Sequence, residues 1–166
     1  MQTIADTFDR FLEASGKVLA FTPLLLILVQ FAIVLMVYVF AIGNVKLQES
    51  LQYINALMFL GGAGYTALHQ GHVRVDLFYS KFSDKKKNIV DTFGTLFLLI
   101  PFLGLFWWAS IPYIVDSWRF QEASVEASGL PFVYILKTTL LLFALSLSLH
   151  AISQLIKTIK SVRKQN

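Results

Sequence analysis

The stretch Gly71-His72-Val73-Arg74-Val75-Asp76-Leu77-Phe78-Tyr79 sets an imidazole, a guanidinium and a carboxylate at alternate positions. His72, Arg74 and Asp76 alternate with Val73, Val75 and Leu77, the period of an extended strip with one polar and one apolar side. Such a strip must anchor against something: Arg74 and Asp76 pair with each other or bind polar groups of a neighbouring protein. The histidines suggest a second chemistry. Two of His69, His72 and His150, at similar depth on different helices, could ligate a haem, as in redox membrane anchors. Only His150 lies well inside an apolar run; the other two read as interfacial.

A third feature is Lys137, about two turns beyond Pro131. An ammonium at bilayer depth costs roughly 2.5–3.5 kcal/mol on insertion scales. Lys137 therefore either snorkels to a lipid phosphate or pairs with a carboxylate of this chain or a partner. Equally informative is what the apolar runs lack. A transporter or channel acting alone usually carries an intramembrane carboxylate, a polar pathway or broken helices. Here the first apolar run offers only Gln30, and Asp91 and Asp116 sit near or beyond the ends of the third. With no cysteines, disulfides, Cys-ligated zinc, iron–sulfur clusters and thiol catalysis are excluded.

The elements that must position these residues follow from the placement of charge. Residues 18–45, 50–73, 92–115 and 138–156 contain no Asp, Glu, Lys or Arg, in runs of 28, 24, 24 and 19 residues. A membrane span needs ~20 predominantly apolar residues. Only 14% of the chain is charged, against ~25% in soluble domains. The chain therefore reads as an all-α integral membrane protein, not a soluble enzyme or nucleic-acid binder. All spans should be helices, because lipid cannot satisfy exposed peptide groups.

Four transmembrane helices are expected, over 18–43, 51–69, 87–113 and 131–156. A loop at 70–84, a loop at 116–130 and a basic tail at 157–166 complete a single membrane domain. The apolar run after the charged first 17 residues is too long for a cleaved signal peptide and reads as a retained span. Pro101, mid-way in the third span, leaves a carbonyl one turn back unpaired and should kink its helix.

Four spans put the N-terminus, the 70–84 loop and the C-terminus on one side. Those regions, with Lys85, Lys86 and Lys87 just after the loop, hold 11 of the 14 basic residues, so both termini should be cytoplasmic. The 116–130 loop then faces outward with Asp116, Glu122 and Glu126 against Arg119. Tyr38, Tyr53, Trp107, Trp108, Tyr113, Trp118 and Tyr134 fall toward the outer interface, where such rings anchor. Residues 1–16 predict an amphipathic interfacial helix, with Ile4, Phe8, Phe11 and Leu12 on one face and Asp6, Asp9, Arg10 and Glu13 on the other. Ser15-Gly16 would let it turn into the first span. The small residues Gly61, Gly62, Ala63, Gly64 and Ala67 allow close helix approach, within the chain or against another subunit. Lys85, Lys86 and Lys87 suit anionic lipid of the inner leaflet.

At these positions the chain resembles the small, four-helix Q-type membrane subunit of tripartite ATP-independent periplasmic (TRAP) transporters. The resemblance rests on Leu51-Gln52-Tyr53, Leu60-Gly61-Gly62-Ala63-Gly64-Tyr65-Thr66, Gly71-His72-Val73-Arg74-Val75-Asp76 with Tyr79, Ser117-Trp118, Glu122, Ser124, Gly129-Leu130-Pro131 and Leu136-Lys137. It implies a scaffold without catalytic, substrate or metal site and without cofactor. This scaffold braces a large TRAP membrane subunit in the bacterial inner membrane and shares docking of a periplasmic substrate-binding protein. The imported solute would be an organic anion, driven by sodium. The implied roles are contact with the large subunit for His72, Arg74, Asp76, Gly61 and Gly64, and docking for Arg119, Glu122 and Glu126. Lys137, Trp107 and Trp108 would meet lipid or an interface. The rival readings are a haem-bearing anchor of a respiratory enzyme and a small autonomous exporter.

Overall fold

A computed structural model describes residues 2–71, 79 and 81–165. Every regular element among them is helical: α1 (Gln2–Leu19), α2 (Thr22–Tyr38), α3 (Val45–Leu68), α4 (Asp84–Gly94), α5 (Ile100–Arg119) and α6 (Val133–Gln165). A π turn, Thr95–Leu99, joins α4 to α5 without a break.

Three stretches are long and apolar enough to cross a membrane: Thr3–Tyr38, Lys86–Arg119 and Val133–Thr158. Helix α3 is long enough, at 24 residues or roughly 36 Å. It is less apolar because Gln48, Gln52, Asn55 and three glycines interrupt its hydrocarbon surface.

Proline decides two local features. Pro23 cannot donate to the Leu19 carbonyl one turn back; the Thr22 hydroxyl donates there instead, at 2.6 Å. The helix accordingly breaks at Ala20-Phe21. This corrects the turn expected at Ser15-Gly16. Gly16 is helical and buried, because Tyr65 occupies the space a Cβ would take. Before Pro101, where a kink is expected, the helix carries a π turn in which the Ile100 N–H reaches back to the Thr95 carbonyl. Widening the ladder by one residue relieves the clash between the proline ring and the preceding turn.

The helices pack mainly as a curved row. Helix α2 packs on α3, α3 on α6, and α6 on α5, while α1 crosses α3 and α6. The α2 stripe is Thr22, Leu26, Val29, Ile33 and Met36, spaced four and three as a helical seam requires. The apolar core lies where Ala63, Leu103, Leu147 and Ala151 meet, flanked by Leu99, Trp107 and Phe143. On α1 the buried stripe is Ala5, Leu12 and Gly16, with Asp9 half-buried. Ile4 and Phe11 face outward. The predicted apolar face is thus split, and only Leu12 of its best residues is enclosed.

The row has two ends. The tail end gathers α1, the end of α3, α4 and the last turns of α6. The loop end gathers the start of α3, residues 120–132 and the start of α6.

Candidate functional site

At the loop end, two carboxylates hold one loop. Glu49, in the second turn of α3, accepts from the Leu130 backbone N–H at 2.6 Å and from the Ser124 hydroxyl. The Ser124 N–H donates to the Leu130 carbonyl at 3.1 Å, closing the loop on itself. Gly129 has no room for a side chain, since a Cβ there would overlap Ser124 and Glu49. Asn44 starts α3 by accepting from the Leu47 N–H at 3.1 Å, which fixes the helix turn just before Glu49. The Leu130 N–H and the Ser124 hydroxyl hold the Glu49 carboxyl below the usual carboxylate range.

The second carboxylate is Glu122. It forms an ion pair with Lys137 and accepts from the Ser117 hydroxyl at 2.8 Å. Its carboxyl is likewise lowered, first by Lys137 and then by Ser117. The Lys137 ammonium also stands 3.9 Å from the centre of the Tyr113 ring, a cation–π contact. Of the two partners expected for Lys137, the structure supplies a carboxylate of the same chain. The signal was present in the sequence: a cation well inside a span follows closely on a loop with two glutamates.

Glu122 is therefore committed to holding the loop. Among the residues it leaves exposed are Asp116, Arg119, Phe120, Val125 and Glu126. Arg119 lies 5.9 Å from the Phe120 ring centre. The Trp118 indole N–H donates to the Thr138 hydroxyl at 2.9 Å and its ring packs on Tyr134, so the end of α5 is pinned to α6. Glu49, over 70 residues from Ser124, was invisible to motif reading, because nothing in the sequence says which loop it meets.

The remaining predicted residues divide. His72, Arg74 and Asp76 lie outside the described residues. Gly64 sits at the crossing of three helices of this chain: a Cβ there would come within 2.8 Å of Leu12 and of the Ser146 carbonyl. Gly61 faces Leu19, whereas Gly62 has no neighbour within 4 Å. Trp107 donates from its indole N–H to the Ser148 hydroxyl at 3.2 Å and packs against the core, while Trp108 is exposed.

The tail end has its own polar ties. Asp9 accepts from the Ser153 hydroxyl at 2.6 Å and pairs with Lys157. Glu13 bonds His69 at 2.7 Å, and the His69 ring packs on Tyr65. His150 lines a cleft of about 510 Å³ with Asp91, Tyr79, Thr95 and Gln154.

Searches against curated proteins and solved structures found no match. A family model, described as the DctQ component of tripartite ATP-independent periplasmic transporters, matches residues 26–161. That match takes in α3 to α5, most of α6, the Glu49 and Glu122 contacts and Lys137. Regular structure that is wholly helical among the described residues, with three stretches there long and apolar enough to cross a membrane, suits a membrane component of a transporter. The chain belongs to the DctQ family, the small membrane subunits of TRAP transporters.

Proposed function

We propose that this subunit is a scaffold with four spans, α3 being the fourth, that braces the large TRAP subunit in the bacterial inner membrane. Both termini lie in the cytoplasm, where most of the basic residues gather, and the loop end faces the periplasm. The alternation in His72-Val73-Arg74-Val75-Asp76 supports a cytoplasmic contact with the large subunit. Periplasmic substrate-binding protein docks partly on the loop end, and the complex imports an organic anion of the carboxylate or sulfonate type with sodium. The family match gives the haem-anchor reading no support.

The observation that carries the docking role is the doubly held 120–132 loop. A loop fixed by Glu49 and Glu122 presents Asp116, Arg119, Phe120, Val125 and Glu126 in one arrangement, so a partner need not order it on binding. Exchanging the charges at Arg119 and Glu126 (R119E/E126K) should slow capture of the binding protein, most visibly at low salt. Uptake by the reconstituted complex at limiting binding protein measures this. Unchanged uptake at low salt would overturn the docking role.

A further inference from the structure

Helix α3 carries an exposed line of Gln48, Gln52, Asn55 and Phe59, spaced four, three and four residues apart. This line is a ridge between two clefts. On one side α2 and α3 enclose about 690 Å³ lined by Gln30, Gln52, Asn55, Phe31 and Leu26. On the other, α3, α5 and α6 enclose about 370 Å³, again reached by Gln52 and Asn55. Gln30 is eight residues from either end of α2, roughly 12 Å, too deep for its side chain to reach headgroups. Gln30, Gln52 and Asn55 make no side-chain hydrogen bond among the described residues.

Three carboxamides at or near hydrocarbon depth, each with donors and an acceptor, are unsatisfied against acyl chains. What covers them must supply hydrogen bonds and fit a groove parallel to α2 and α3. A helix does both, through hydroxyl or carboxamide side chains, or through backbone carbonyls bared by small residues. Carboxamides cannot neutralise a charge, so the matching groups are neutral. Two copies of this chain face to face would set ridge against ridge and leave the clefts empty.

We propose that the α3 ridge and the α2–α3 cleft seat a transmembrane helix of the large subunit, held by neutral hydrogen bonds from Gln30, Gln52 and Asn55. This rests on the scaffold reading above and adds where the brace is made.

The test uses the whole complex, with the tagged small subunit purified from membranes in mild detergent. The triple variant Q30L/Q52L/N55L is more lipid-compatible than the native chain. At about threefold per interhelical bond, it should retain roughly twentyfold less large subunit. Leu105→Ala, on the exposed face of α5, should retain the native amount. Native retention by the triple variant would overturn the seat, whereas no large subunit with the native chain would overturn the scaffold reading instead. Independently of the triple variant's folding, a photoreactive benzophenone residue replacing Phe59 should cross-link to the large subunit. Adducts with lipid alone, or with a second copy, would overturn the proposal.

Discussion

The two ends of the molecule are held by different forces. At the tail end the main grip is close packing: Gly16 lies under Tyr65, Gly64 lies against Leu12 and Ser146, and Ala5 and Leu12 are fully enclosed. At the loop end, two carboxylates reach across to a loop and hold it by hydrogen bonds and charge. Packing of this kind has no room to give and is indifferent to salt and pH. A carboxylate grip keeps a loop exposed while limiting its motion, and it can be released by protonation. The contrast suits a subunit with one permanently assembled end and one that presents a held loop.

The contrast is broken most strongly at Gly64. Gly64→Ala places a methyl group against a backbone carbonyl that cannot yield, and overpacking of this kind costs roughly 1–3 kcal/mol. Gly62→Ala, in open space, should be neutral or slightly stabilising through helix propensity. Thermal unfolding in detergent measures both, and equal melting temperatures would show that the tail end is not packing-limited.

A smaller, local effect is expected from Glu49→Ala, which removes the acceptor for Leu130 and Ser124. Hydrogen exchange of residues 122–130 should rise several-fold with global melting little changed. Glu49→Gln should fall between, since its carbonyl oxygen still accepts. A global loss of stability would mean that the loop end is as integral to the fold as the tail end.

The smallest effect is in pH. Glu49 and Glu122 both have folded-state pKa values below the unfolded ones. The stability they contribute is fully present above the ordinary carboxylate value and is lost as pH falls toward the folded value. A spin label at Ser128→Cys, the only thiol in the chain, should report constant mobility from pH 8 to 6. Release should begin only below about pH 4. Release near neutrality would place the grip on other groups.

Much of the fold was legible because membrane helices announce themselves by uncharged length. The runs over 18–45, 92–115 and 138–156 all fall largely within helices, and Pro101 marked where one of them is disturbed. The neighbour relations were not legible. Hydropathy measures affinity for lipid, and a helix facing lipid on most sides, such as α2, reads the same as one facing protein. The same limit hid α1: its apolar residues suggested a face lying on the membrane, yet the enclosed stripe follows the small residues Ala5 and Gly16, with Asp9 drawn in by Ser153 and Lys157. At the loop end the sequence singled out Glu122 and Lys137 separately. Their pairing needed the turn at Phe120-Gln121, where Gln121 takes a φ of 45°.

The π turn has one further consequence. Along α5 the enclosed residues recur as Leu103, Ser110, Ile114 and Ser117, a seven-residue beat. Continued backward, that beat names Leu96, yet Leu96 is 45% exposed and Thr95 is enclosed at 5%. The beat has slipped by one residue where the π turn inserts its extra member. Helices α4 and α5 are therefore out of phase, like two gears keyed to one shaft a tooth apart. The face that α4 and the π turn present to α6, with Asp91 and Thr95, is set by Pro101, ten residues beyond the first and six beyond the second.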